Sequence, residues 1–78
     1  MDYKGLVEYI VKSLVDNPDQ VEINEIEGEK STILELKVTK DDIGKVIGKH
    51  GRIARAIRAL INASVSKTGK RGVLEILD

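Results

Sequence analysis

The spacing of the apolar residues changes twice along the chain, and this limits the fold more than any other feature of the sequence. Apolar residues recur every three or four positions over residues 2–16, as in a helix with one buried face. They alternate with polar residues over most of 20–39, as in strands, and the helical spacing returns after Thr39. We expect Asp2 to cap the first helix and the turn at Pro18 to end it.

Two strands are predicted in the middle of the chain. The strand over 20–28 contains Ile26, which is out of phase with Ile23, and this predicts a β-bulge between them. The strand over 32–39 alternates regularly, and the turn at 28–31 joins the two strands in a hairpin.

The remainder of the chain predicts two helices and a last strand. A short helix over 41–47, capped by Asp41 or Asp42, precedes a longer helix over 52–66. A strand over 73–77 closes the chain. The resulting order, α-β-β-α-α-β, belongs to the α+β class.

Composition excludes several classes of function. The 78 residues include no Cys and one His, which excludes a disulfide, a thiol nucleophile, a cysteine zinc site and a multi-histidine metal site. No apolar run reaches the roughly 18 residues of a membrane span, and the N-terminus lacks the apolar core of a signal peptide. We expect residues 1–78 to form a single cytoplasmic domain without membrane insertion, and without catalytic activity, metal, cofactor or small-molecule substrate.

The charges are divided between the two halves of the chain. Lys+Arg and Asp+Glu are equal at 13 each, but the residues up to Thr39 contain nine acids against four lysines. The residues after it contain nine bases against four acids, and none of the acids lies between Ile43 and Leu74. This asymmetry indicates one face that meets an anionic partner, either a nucleic acid or an anionic lipid. The alternative is that two oppositely charged faces only keep the domain soluble.

A short loop between Gly48 and Gly51 joins the two C-terminal helices. Glycine allows a sharp turn and a close approach of another backbone, and Lys49 and His50 between them should project into solvent. The loop also precedes the N-terminus of the long helix, whose N–H groups from Gly51 onward and whose dipole, together with Lys49, fit a phosphate.

Three arginines continue this basic region along the long helix. Arg52, Arg55 and Arg58 are spaced by three and lie on one arc, which would form a track for several phosphates. The alternative is an ordinary solvated helix face. The opposite arc, which should face the sheet, contains Ile53, Ala56, Ile57, Leu60 and Ser64.

The residues that carry the function read Ile43-Gly44-Lys45-Val46-Ile47-Gly48-Lys49-His50-Gly51-Arg52-Ile53-Ala54. They resemble the core of a KH domain, in which hydrophobic residues flank a Gly-x-x-Gly motif that usually contains a basic residue. The spacing after the second glycine departs slightly from that pattern, because Ile53 follows Gly51 by two residues and Ala54 follows it by three. The resemblance covers essentially the whole chain and implies the type II arrangement, a three-stranded sheet with three helices packed on one face. A stand-alone domain of this length is similar to the bacterial KhpA family of small RNA-binding proteins.

This resemblance implies single-stranded RNA binding, in RNA regulation or as an RNA chaperone, and a link to cell shape. The loop from Gly48 to Gly51 would clamp the RNA backbone. Lys49 and His50 would face phosphates. Further expected RNA contacts are Arg52, Arg55, Ile43, Gly44, Lys45, Val46, Lys37 and Val38, whereas Ile47 and Ile53 would anchor the motif in the core. Because the only aromatic residues, two tyrosines, lie in the first helix, aromatic stacking on bases is excluded.

The long helix also predicts pairing with a second chain. Its apolar arc is roughly 180° wide, against about 100° for an ordinary surface helix, which predicts a dimer contact at Ile61 and Val65. The alternative is that Ile61 packs under the first helix or the last strand. The resemblance independently implies a homodimer, or a heterodimer with a second KH protein of the KhpB (Jag) type. Two other functions stay open: a protein-interaction module with incidental RNA binding, and single-stranded DNA binding.

Overall fold

The computed structural model describes residues 3–77. The elements, in chain order, are helix α1 (Tyr3–Leu14), strands β1 (Glu22–Glu27) and β2 (Ser31–Lys37), helices α2 (Ile43–Ile47) and α3 (Arg52–Val65), and strand β3 (Arg71–Leu77). A short 3-10 turn precedes each of β1, α2, α3 and β3. The predicted order is confirmed, while the predicted cap at Asp2 lies outside the described residues.

The three strands form one sheet in the order β1-β2-β3, in which β2 is antiparallel to β1 and parallel to β3. The predicted β-bulge is wrong, because β1 and β2 pair without interruption from Glu22–Lys37 to Glu27–Thr32. Ile26 is instead 44% exposed on the face of the sheet away from the core, opposite Ile33. Glu25 takes the position that faces the helices. This is tolerated because β1 is an edge strand, so Glu25 remains exposed, and because the Glu25 carboxylate accepts a hydrogen bond from the Tyr3 hydroxyl.

The core lies between one face of this sheet and the three helices. Alternate residues of β2, including Leu34 and Leu36, are fully buried, and they meet Val7 and Val11 of α1 and Val46 of α2. This burial supplies most of the favourable free energy of so small a fold.

Helix α3 is rotated by about one residue from the predicted orientation. Its buried residues are Ala54, Ile57, Ile61 and Val65, whereas Ala56 and Ser64 are exposed. The sequence defines a broad apolar arc, and only packing against β3 and α1 selects the part of it that turns inward.

This orientation makes the predicted dimer contact at Ile61 and Val65 wrong. Ile61 is 0% exposed and packs against Gly72 of β3, where an added Cβ would lie 2.6 Å from Ile61 Cγ2. Both side chains are part of the protomer's own interior, so they offer no surface to a partner. The alternative, in which Ile61 packs under the last strand, is the arrangement found.

No helix within residues 3–77 combines the length and the apolar character needed to cross a membrane. Within the same residues, no group of three or more His, Asp or Glu side chains converges as metal ligands would.

Candidate nucleic-acid interface

A buried carboxylate fixes the position of α2, the helix that leads into the glycine loop. Asp42 accepts hydrogen bonds from the backbone N–H groups of Asp16 (3.1 Å) and Asn17 (3.0 Å). It also accepts them from the Asn17 side-chain amide (3.1 Å) and the Thr39 hydroxyl (3.1 Å). Burial by itself raises the pKa of Asp42, but these hydrogen bonds outweigh it and hold the pKa below its ordinary value.

Asp42, one of the two residues predicted to cap α2, therefore does not cap it. Asp42 makes no side-chain bond to the N-terminus of α2, since its own backbone is already helical (φ −96°, ψ −7°). A capping residue needs an extended backbone to fold its side chain over the first turn. The carboxylate instead ties the end of α1 to the start of α2.

Three of the four residues in the loop from Gly48 to Gly51 have a positive φ angle, and Lys49 is the exception. Gly48 has φ 78° and ψ 169°, a conformation essentially restricted to glycine, and an added Cβ would lie 2.3 Å from Ile53 Cγ1. His50 (φ 58°, ψ 22°) and Gly51 (φ 75°, ψ 14°) are both left-handed. This turn exposes the side chains of Lys49 and His50, as predicted.

Two of the backbone N–H groups predicted to bind a phosphate at the loop already donate hydrogen bonds within the protein. The Gly51 N–H donates to the Gly48 carbonyl at 3.0 Å, and the Arg52 N–H donates to the Lys49 carbonyl, so both close the tight turn. A phosphate at this loop would therefore depend on the side chains of Lys49 and His50 more than on these two amides.

A groove of about 420 Å³ lies beside the loop, between α3 and β3. Its apolar lining residues are Ile47, Ala54, Leu74 and Ile76, with Gly51 at the loop end. Arg55 and Arg58 form its charged side. A strip of apolar surface beside a row of cations can hold bases on the one and phosphates on the other.

Two of these lining residues, Leu74 and Ile76, were missed by sequence reasoning. They alternate along β3 on the side that faces the helices, and that alternation was visible. No pattern in the residues indicates that β3, rather than β2, borders α3. Ile47, predicted for the core, is 37% exposed and lines the groove as well.

Several predicted RNA contacts lie elsewhere. Val46 and Val38 are buried in the core. Lys37 points to the open face of the sheet, 3.9 Å from the Glu22 carboxylate, and Lys37 and Val38 border a different cleft that also contains Asp19. These three residues are therefore not brought to the groove between α3 and β3.

The predicted contacts on α2 also lie outside this groove. Ile43 is half-buried and Gly44 is exposed. Lys45 forms an ion pair with Asp16 at 2.8 Å and lies 3.8 Å from Asp42. The hydrogen bond to Asp16 and the charge of Asp16 raise the pKa of Lys45, so this cation already has an anionic partner.

The cations beside the groove, by contrast, take part in none of the ion pairs found within residues 3–77. Lysines 12, 37, 45 and 70 each pair with a carboxylate. Lys49, Arg52, Arg55 and Arg58 do not, and all four are exposed. Lys30, Lys40, Lys67 and Arg71 are also exposed and outside these ion pairs, but they lie away from the groove. The four cations at the loop and along α3 therefore form a row of uncompensated positive charge that can attract an anionic partner.

Two helices joined by a Gly-x-x-Gly loop, in the order α-β-β-α-α-β on a three-stranded sheet, define a type II KH domain. A family model described as "KhpA/KhpB, KH domain" matches residues 4–76. The chain therefore belongs to the KhpA/KhpB family of KH domains, which confirms the resemblance seen in the sequence.

Similar proteins carry the name RNA-binding protein KhpA. One from Borreliella burgdorferi is 64% identical over 73 residues, which is 94% of this chain and 89% of the relative. Another, from Clostridium acetobutylicum, is 60% identical over 74 residues, which is 95% of this chain and 99% of the relative. No solved structure matches the chain significantly. The relatives are named for binding and not for a reaction, in agreement with the prediction that the chain is not an enzyme.

Proposed function

We propose that residues 1–78 form a single KH domain that binds single-stranded RNA in the cytoplasm, without catalysis, through the Gly48–Gly51 loop and the groove between α3 and β3. The observation that carries this proposal is the row of uncompensated cations next to an apolar groove. The relatives named as RNA-binding proteins support RNA as the anionic partner.

Binding in this arrangement is mainly electrostatic. Lys49, His50 and Arg52 surround the loop and meet phosphates, while the bases lie on Leu74 and Ile76. Aliphatic side chains cannot stack with a base as an aromatic ring does, so each base adds little affinity and sequence preference is weak.

A salt titration tests the proposal. Binding of a short, mixed-sequence single-stranded RNA is measured for the wild type and for Lys49→Asp/His50→Asp, with folding checked by circular dichroism. The log of the affinity should fall with the log of the salt concentration by about 0.7 per phosphate neutralised. The variant should lose most of the binding and have a shallower slope. Equal binding by both proteins would reject the loop as the site.

A matched control separates the loop from overall charge. Lys12→Asp/Ser13→Asp makes the same change in charge on an exposed part of α1. It should retain nearly full affinity, since the altered charges are on another element. DNA of the same sequence distinguishes RNA binding from the alternative of single-stranded DNA binding.

We further propose that the chain pairs with a second KH chain, either another copy or a KhpB-type protein, and that it acts in RNA regulation or as an RNA chaperone that influences cell shape. Support for this part comes from the family alone, and a pairing surface must exclude Ile61 and Val65. Sedimentation of the chain, with and without a KhpB-type protein, measures the pairing. A strand-annealing assay measures the chaperone activity.

A further inference from the structure

The glycine loop holds one residue in a conformation that a side chain makes unfavourable. His50 is left-handed and is the one residue other than glycine with a positive φ within residues 3–77. A Cβ makes the left-handed conformation unfavourable, and such conformations persist when surrounding contacts hold them in place. The loop therefore needs a contact that stabilises this conformation.

Arg55 provides this contact. Its Nη1 donates a hydrogen bond of 2.7 Å to the His50 carbonyl oxygen. A Cβ added to Gly51 would lie 3.3 Å from the same nitrogen, so the guanidinium lies directly over the peptide between the two left-handed residues. Side chains on a helix point back toward its N-terminus, and Arg55 follows this rule from the first turn of α3 onto the loop.

Arg58 differs from Arg55 although it lies one turn farther along the same side of α3. It lines the same groove and is exposed. Within residues 3–77 its guanidinium makes no hydrogen bond or ion pair with the protein, so its donors are available to a ligand in the groove.

We propose that Arg55 is a positioning residue, which holds the Gly48–Gly51 loop in the conformation that binds RNA, and that Arg58 supplies a phosphate contact. This division of roles rests on the proposed function. Arg55 and Arg58 look equivalent in the sequence, as members of one row. The proposal predicts that replacing each of them changes the salt dependence of RNA affinity differently.

The first test compares Arg55→Met with Arg58→Met in the salt titration with single-stranded RNA. Both variants replace a long cationic side chain with a neutral one. Arg58→Met should make the slope shallower by about 0.7, the loss of one neutralised phosphate. Arg55→Met should weaken binding about fivefold at every salt concentration with the slope unchanged, because a smaller fraction of loops is competent to bind. A slope change in Arg55→Met equal to that in Arg58→Met would overturn the proposal.

The second test uses the protein without RNA, so that it does not depend on binding. The 15N heteronuclear NOE of the loop amides from Lys49 to Gly51 reports their order on the fast timescale. Arg55→Met should lower it, Arg58→Met should leave it unchanged, and Arg55→Lys should restore it, since the lysine ammonium also reaches the carbonyl. A loop that is equally ordered in the wild type and in Arg55→Met would refute the positioning role of Arg55.

Failure of the proposed function is recognised separately. If Lys49→Asp/His50→Asp binds RNA as tightly as the wild type, the loop is not the RNA site and the positioning role falls with it. If that variant loses binding while Arg55→Met changes the slope, the proposed function stands and only the role of Arg55 is wrong.

Discussion

Replacing Gly48 with alanine should destabilise the protein far more than the same replacement at Gly51, although their φ angles are 78° and 75°. The two sites differ in what a new methyl group meets. At Gly48 it would lie 2.3 Å from Ile53 Cγ1 and 3.0 Å from the Ile53 backbone nitrogen. At Gly51 it would meet only Arg55 Nη1, at 3.3 Å and at the end of a flexible side chain.

The cost at each site follows from these contacts. At Gly48 the backbone conformation, nearly exclusive to glycine, costs a side chain about 2 kcal/mol. The overlap with Ile53 adds about 2 kcal/mol. At Gly51 the left-handed conformation costs about 1.5 kcal/mol. Alanine restricts the unfolded chain in both variants, which returns about 0.7 kcal/mol. The net loss is about 3 kcal/mol at Gly48 and about 1 kcal/mol at Gly51, against a total stability of about 4–12 kcal/mol for 78 residues.

Urea unfolding followed by circular dichroism measures both losses, provided that the m-values agree. The variant Ile53→Ala, alone and combined with Gly48→Ala, completes a double-mutant cycle that isolates the overlap. Gly48→Ala should cost less in the Ile53→Ala background. Equal destabilisation at the two glycines, or the absence of coupling to Ile53, would refute the reasoning.

Three further substitutions test other parts of the structure. Asp42→Asn should reduce stability at neutral pH and flatten its acid dependence. The pKa of Asp42 is lowered in the folded state, so its contribution is present above the unfolded pKa and is lost as pH falls through the folded pKa; urea midpoints measured at several pH values check this. Gly72→Ala should cost about 1–3 kcal/mol by overpacking, since the new methyl would lie 2.6 Å from Ile61 Cγ2 and 3.1 Å from the backbone of α3; thermal unfolding measures it. His50→Val should cost about 1–2 kcal/mol more than His50→Asn, because asparagine tolerates the left-handed conformation and a β-branched residue does not; parallel urea curves that coincide would contradict this.

The loop is the part of the candidate site that the sequence predicted best. Gly48 and Gly51 stand between two helical patterns, and a turn that tight exposes Lys49 and His50 whatever surrounds it. The outward position of the arginine row follows in the same way from the helical repeat. These are local properties, set by backbone sterics over a few residues.

The groove was predicted less well, because it depends on how distant elements meet. Val38 and Val46 are as apolar as Leu74 and Ile76, and composition does not show which apolar side chains border the groove beside α3. The distinction comes from the position of β3 at the edge of the sheet, next to α3.

The sequence by itself determined the order of helices and strands, the conformation of the glycine loop and the charge along α3, since each is set by neighbouring residues and by repeat length. Tertiary structure alone decided that Ile61 turns inward against Gly72 and that Asp42 binds backbone groups at the end of α1, more than twenty residues away. The physical reason is that a helix has a preferred face only to within about one residue, or 100°, until it packs. Close packing against a particular neighbour then selects one orientation and one set of partners for each polar group.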